Sequence, residues 1–262
     1  DYYASRGLGD VYKRQLQGWY LYNSAFVLKT ETHCFIFDYY PYAGEPRTGS
    51  LDSGRLDLQQ IREFGLPVTV FVSHAHYDHF DKSIFTWREE LPEICYVLSD
   101  DVPAPHGLSS DCVLTVQAGR QYEWNGLVIR TLLSTDQGVA FFIRTPGAVI
   151  YHAGDLNFWD WEGESDAYRR QMEQDYKGQI DRIAGEQIDL AFVPLDGRLE
   201  GTYWKGLDYL MRATDTRHVV PMHFRDQYEV FDWLRRQPEA QDYLSRVQVL
   251  THQGQPFLFD VE

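Results

Sequence analysis

Five apolar residues followed at once by three imidazoles and a carboxylate constrain this chain more than anything else in it. Val68-Thr69-Val70-Phe71-Val72 reads as a short buried strand, and Ser73-His74-Ala75-His76-Tyr77-Asp78-His79-Phe80 continues from it. Imidazole nitrogen and carboxylate oxygen are the donors that borderline divalent cations such as zinc accept. His74 and His76, two apart, can turn toward one ion as the chain leaves the sheet. Asp78 and His79 lie one step further round the turn, within reach of a second. The competing reading is a polar surface loop that gathers three of the chain's nine histidines by chance. Such a loop has no reason to follow a buried strand directly.

His-x-His-x-Asp-His after an apolar strand resembles the metal-binding signature of the metallo-β-lactamase superfamily of hydrolases. The resemblance implies a four-layer αβ/βα sandwich of α/β class, with metals at one edge between two sheets.

The rest of the chain is compatible with that. Hydrophobic residues make up 44% of 262, enough for a sizeable core in one domain of this length. No run approaches the ~18 apolar residues of a membrane span, and no signal-peptide series is seen. Cys34, Cys95 and Cys112 lack metal-type spacing and read as free thiols, which points to the cytoplasm. A net charge of −15 argues against a nucleic-acid partner, whose groove needs a positive surface. A small-molecule substrate is expected instead; oligomeric state is not readable.

Residues 1–15 have no clean period and no capping logic, and residues 7–15 resemble translated sequencing-adapter read-through. They are set aside as a non-native or disordered extension, leaving 16–262 as a single metallo-β-lactamase-like domain. From Trp19 an antiparallel meander is expected, with turns at Asn23-Ser24 and Thr30-Glu31-Thr32. Helical segments are expected over about 55–64, 80–90 and 165–184, and a hairpin through Pro146-Gly147. Asn23 reads first as a turn former, and His106 as a surface residue.

Two later strand ends carry the same logic. Tyr151-His152-Ala153-Gly154-Asp155 ends in a glycine that lets the backbone turn, then a carboxylate. In the superfamily the matching Gly-Asp supplies a bridging ligand, a role that the resemblance implies for Asp155. His152, three positions earlier, is expected on the opposite face, behind a ligand. Val219-Val220-Pro221-Met222-His223 is again an apolar strand ending in histidine, and the family pattern implies that His223 joins Asp78, His79 and Asp155 at metal 2. His218 should lie at the far end of that strand.

One feature departs from the family. Most binuclear members carry another histidine between the two motifs, completing metal 1 beside His74 and His76. Here the segment reads Leu133-Ser134-Thr135-Asp136-Gln137-Gly138, without histidine. Asp136 either replaces it, favouring harder ions such as manganese or iron, or only shapes the turn. Asn157, Trp159 and Arg198 are the candidate substrate-binding residues, with Asp196, Tyr203 and Trp204 as further contacts.

The resemblance implies a metal-dependent hydrolase holding two divalent ions, zinc first and manganese or iron otherwise. A metal-activated hydroxide would attack a small lactone or ester, anionic if Arg198 faces it, and Asp78 and Asp155 are the catalytic carboxylates. Chain size and the Tyr-His-Ala-Gly-Asp element look most like the ascorbate-phosphate lactonase-like branch. The alternatives are a small-nucleotide phosphodiesterase and, from another class, a non-catalytic metal-binding module.

Overall fold

The computed structural model describes residues 14–42, 44–46, 48–105 and 107–261. Residues 1–13 and His106 lie outside the described residues. The first strand, β1 (Arg14–Tyr22), starts inside the stretch set aside above: Arg14 and Gln15 pair with Val261 and Asp260 of β13 (Pro256–Val261).

Seven strands form the first sheet. After β1 come β2 (Ala25–Lys29), β3 (Cys34–Phe37), β4 (Val68–Val72), β5 (Cys95–Ser99) and β6 (Val113–Val116), in the spatial order β13-β1-β2-β3-β4-β5-β6. The meander β1-β2-β3 is antiparallel, whereas β3 through β6 run parallel. The second sheet holds β7 (Gln121–Trp124), β8 (Leu127–Leu133), β9 (Val139–Arg144), β10 (Val149–His152), β11 (Gln187–Pro194) and β12 (Asp215–Met222). Its order is β12-β11-β10-β9-β8-β7, parallel from β10 to β12 and antiparallel beyond.

Parallel strands are covered on both faces and therefore read as continuous apolar runs. That is why Val68–Val72 is buried at every position. Phe37, Phe71, Phe141 and Phe192 fill the space between the sheets. A second cluster lies outside the first sheet, beneath α1 (Leu58–Glu63) and a 3-10 helix at Lys82–Glu89. Asp57 caps α1 through the N–H groups of Gln59 and Gln60. The segment expected as a helix over 80–90 is this 3-10 turn, which sets Ile84 and Trp87, three apart, on the buried side.

On the second sheet, α2 (Asp166–Ile180) is capped by Ser165 and buries Met172, Tyr176 and Ile180 at a spacing of four, with solvent on its other face. It is followed by α3 (Lys205–Ala213) and α4 (Val230–Arg236). These are the layers of an αβ/βα sandwich. Among the described residues, no helix is long and apolar enough to cross a membrane.

Two glycines lock the sheets together at Ser73, the residue after β4. Gly138 has φ +70°, and a Cβ there would lie 2.0 Å from the Ser73 carbonyl oxygen; at Gly154, φ +52°, it would lie 2.7 Å from Ser73 Cβ. Only glycine permits both the left-handed turn and this approach. The N–H of Val139 donates to the Ser73 carbonyl at 3.0 Å, closing the seam.

Candidate metal centre

Five parallel strands end at one edge and each delivers a polar side chain there. β3 leads into Asp38, β4 into the histidine motif, β10 into Asp155, β11 into Asp196 and β12 into His223. Carboxyl ends of parallel strands are where such sheets place ligands, because the chain must leave the sheet there in loops. Backbone strain gathers at this edge. Asn23, Asp38, His223 and Arg225 all have left-handed φ (52°, 43°, 64° and 54°), at a cost on the order of 1 kcal/mol each.

Three imidazoles aim the same atom at Asp155. His74 Nε2 lies 3.5 Å from Asp155 Oδ2, and His79 Nε2 and His223 Nε2 lie 3.2 and 3.3 Å from Oδ1. His76 turns its Nδ1 inward, 3.0 Å from His74 Nε2. Two groups of donor atoms result, each within 4.8 Å: His74, His76 and Asp155, and Asp78, His79 and His223. Asp78 Oδ2 sits 4.0 Å from His223 Nε2.

The second ring nitrogens explain that orientation. His79 Nδ1 donates to Asp38 Oδ2 at 2.8 Å, and His223 Nδ1 to Asp196 Oδ2 at 3.0 Å. The Ser73 hydroxyl donates to Asp38 at 2.6 Å and accepts from His74 Nδ1 at 3.0 Å. In the neutral ring each of these bonds puts the proton on Nδ1 and leaves Nε2 as the donor atom facing Asp155. Asp38, fully buried, also accepts the Ser73 backbone N–H at 2.7 Å.

The donor set fits a cation on an observation independent of motif. His79 Nε2 and Asp155 Oδ1 are buried and lack hydrogen-bond partners, although buried polar atoms are nearly always satisfied. A cation between such atoms removes that deficit.

Electrostatics follow the same layout. Burial opposes ionisation of Asp155, but His79 and His223 outweigh it and hold the carboxyl far below its usual range. Burial also disfavours the charged form of His79, yet Asp155 and Asp38 push its pKa well above normal. His74 is driven down to about 4 by burial and then by His79. Burial raises Asp196, but its bonds to His223 and Arg198 bring it down to about 2.

The remaining candidates divide. Asp136 Oδ2 is 3.8 Å from His76 Nδ1, on an exposed side chain outside the compact donor groups, and its N–H also closes a turn onto Ser134 Oγ. Trp159 donates from Nε1 to the Asp155 carbonyl at 2.9 Å and sets its ring edge on His223. Trp161 stacks on Trp159, and the Arg198 guanidinium lies over Trp161 at 5.6 Å. These groups, with Asp136 and Asp155, line a cavity of about 230 Å³. Asn157 is buried instead against Gly206 of α3. Asp196 stands behind His223, Tyr203 packs on Trp233, and Trp204 lines a cleft between α2 and α3.

Asn23 forms the turn and also donates to Asp78 Oδ2 at 3.4 Å. His152 lies behind the donors, stacked on Phe37, accepting from the Gly154 N–H and donating to Ser24 O at 3.2 Å. His218 stacks on Phe259. Sequence reasoning missed Asp38 and the orienting role of Asp196. An acid directly after an apolar strand was the available signal for both.

No protein-family model matches the chain. A metal-dependent hydrolase of the UPF0173 group from Pyrobaculum islandicum is 24% identical over 238 residues, covering 87% of this chain and 90% of its own. The metallo-β-lactamase fold protein YhfI from Bacillus subtilis superimposes with a TM-score of 0.58 at 12% identity, over 95% of this chain and all of its own. The chain has the metallo-β-lactamase fold. Igni18, a metallo hydrolase from the archaeon Ignicoccus hospitalis, shares the fold with a TM-score of 0.59 at 17% identity, over 95% of this chain and all of its own. The metallo-β-lactamase fold accounts for the edge site: its two sheets bring His74 to His79 and Asp155 together from opposite layers.

Proposed function

We propose that this chain is a hydrolase of the metallo-β-lactamase superfamily that opens a small lactone or ester at a centre of two divalent ions, zinc first. The observation that carries the reading is the convergence of three Nε2 atoms on Asp155, with His79 Nε2 and Asp155 Oδ1 buried and unpartnered. His74 and His76, with Asp136 at the exposed side, would hold metal 1; Asp78, His79 and His223 would hold metal 2, with Asp155 shared between them. Bound there, the ions supply Lewis acidity, lowering the pKa of water and polarising the substrate oxygen.

The chain's own groups do the rest. Asp38, Ser73 and Asp196 fix the imidazole rings, so that no reorientation is needed when substrate arrives. Asp78, held by Asn23 on one side, takes the proton of the attacking water. Trp159 and Trp161 exclude solvent, and Arg198 meets an anionic group on the substrate. The metal-dependent hydrolase from Pyrobaculum supports the hydrolytic reading. The preference for a lactone rests on the resemblance to the lactonase-like branch.

Metal content per chain and turnover of a lactone, 4-nitrophenyl acetate and bis(4-nitrophenyl) phosphate test this together. Two ions with ester or lactone turnover support it, and turnover of the phosphodiester alone moves the substrate class to phosphate esters. One ion or none after reconstitution with zinc, manganese and iron, without turnover, leaves a metal-binding module.

A further inference from the structure

The donor groups open on a second side, away from Trp159 and Arg198. There a recess of about 450 Å³ is walled by Tyr22, Tyr40, Tyr42 and Tyr77, with Asp78 at its floor and Arg225 beside it. Two walls are rigidly placed. Tyr22 and Tyr42 stack at 4.4 Å and 20°; Tyr22 donates its hydroxyl to Asp226 at 3.1 Å, and Tyr42 donates to the Gly54 carbonyl at 3.1 Å. Tyr40 completes that wall, 6.2 Å from Tyr22 and tilted by 56°.

Three features have no structural task. Tyr77 lies between metal-donor residues of the motif, yet 75% of it is exposed, far more than any ring needed for the core. The hydroxyls of Tyr40 and Tyr77 have no hydrogen-bond partner among the described residues. Among the described residues the Arg225 guanidinium has a single ionic contact, Asp78 Oδ2 at 3.6 Å, made from a left-handed backbone. Asp81, which also lines the recess, caps the following 3-10 helix, and Asp226 beside it takes the Tyr22 hydroxyl.

Phenol faces select flat rings, and a guanidinium with free N–H groups selects an oxygen acceptor, negative above all. A cationic guest is opposed by Arg225 itself. We propose that this recess is a second subsite of the centre and takes a planar aromatic ring bearing a carboxylate or carbonyl group that pairs with Arg225. The assignment of that ring to the substrate rests on the hydrolytic reading; the ring-binding site does not.

Calorimetric titration of the zinc-loaded full chain with 2-naphthoate, and with cyclohexanecarboxylate as a non-planar acid of equal charge, tests the site directly. Naphthoate is expected to bind more tightly than the cyclohexane acid by roughly five- to tenfold. Tyr77→Ala and Arg225→Gln should each weaken it by a similar factor, while Tyr77→Phe, which keeps the ring, restores it. Equal affinity for both acids, absence of naphthoate binding, or wild-type binding by Tyr77→Ala and Arg225→Gln overturns the proposal. Turnover of 2-naphthyl acetate is measured separately. Naphthoate binding without any ester or lactone turnover removes the hydrolytic reading and leaves the site standing; turnover without naphthoate binding does the reverse.

Discussion

Asp38 Oδ2 lies 2.8 Å from His79 Nδ1 while the Ser73 hydroxyl, 2.6 Å from the same oxygen, receives His74 Nδ1. One buried carboxylate thus orients an imidazole from each of the two donor groups, from the end of β3 beside β4. Replacing it by Asp38→Asn keeps the volume but offers an N–H where an acceptor is needed. Metal affinity should fall by roughly 10- to 100-fold, the usual effect of losing an outer partner of a ligating histidine. Competition with a chelator reads this out; an unchanged affinity would show that ring orientation does not depend on Asp38.

His76 separates binding from folding most cleanly. Its side chain is 43% exposed and its inward contacts are to His74 and Asp136. His76→Ala is therefore expected to lose one ion and turnover by more than about 100-fold, a larger effect than that of an outer partner, with the melting temperature of the metal-free chain unchanged. Asp155→Ala should lose both ions. Full activity in either variant removes the ligand assignment.

Asp136 has two possible tasks, and metal stoichiometry tells them apart. If its Oδ2, 3.8 Å from His76, completes metal 1, Asp136→Ala should reduce the content from two ions to one at limiting metal, and Asp136→His should restore two. If it only shapes the turn through Ser134, both variants bind like the parent and differ in stability alone.

Acid stability should depend on Asp160, away from the metal donors. Its buried carboxylate joins α2 to α3 through Arg169 and Lys205. Burial raises its pKa, but the bond to Arg169 and then Lys205 prevail and the pKa is lowered. A carboxylate lowered on folding contributes stability that is complete above its unfolded value, about 3.9, and is lost as pH falls through the folded value. Melting temperature should therefore drop below pH ~4 in the parent, and less steeply in Asp160→Asn. Parallel curves count against this account.

Thiol reactivity gives a test of packing. Burial in β3 pushes the Cys34 thiol up to about 12, against a small opposing effect of Lys29. Cys95 and Cys112 are half-buried and free. A disulfide-exchange reagent at neutral pH should label Cys95 and Cys112 in the native chain and reach Cys34 only on unfolding. Labelling of Cys34 without denaturant would mean that β3 opens locally.

The candidate donors stand out in the sequence because all of them lie within a few residues of the end of an apolar run. Val68–Val72, the strand ending at His152 and the strand ending at Met222 all read as buried, and the polar residue after each has nowhere to go but the sheet edge. The same rule, applied to β3 and β11, points at Asp38 and Asp196. It went unused for the first, and misassigned the second to substrate, because a carboxylate in front of the centre and one behind it look alike in a string.

Asn157 shows the opposite limit. It stands two residues after Asp155, yet the turn through Gly154 sends its side chain into α3 against Gly206. Proximity in the chain carried no information about direction once the backbone had left the strand.

Strand ends, turn glycines and the absent third histidine were therefore matters of local sequence, since a buried strand has a period and a termination that residues alone express. Tertiary structure alone decided which ring nitrogen points inward, which acids stand behind the rings and which tyrosines share a recess. Asp38 is 41 residues from His79, and Tyr22 is 204 from Asp226. No periodicity spans such distances; the parallel pairing of β3 with β4 brings the first pair within hydrogen-bond reach, and the packing of the two sheets brings the second.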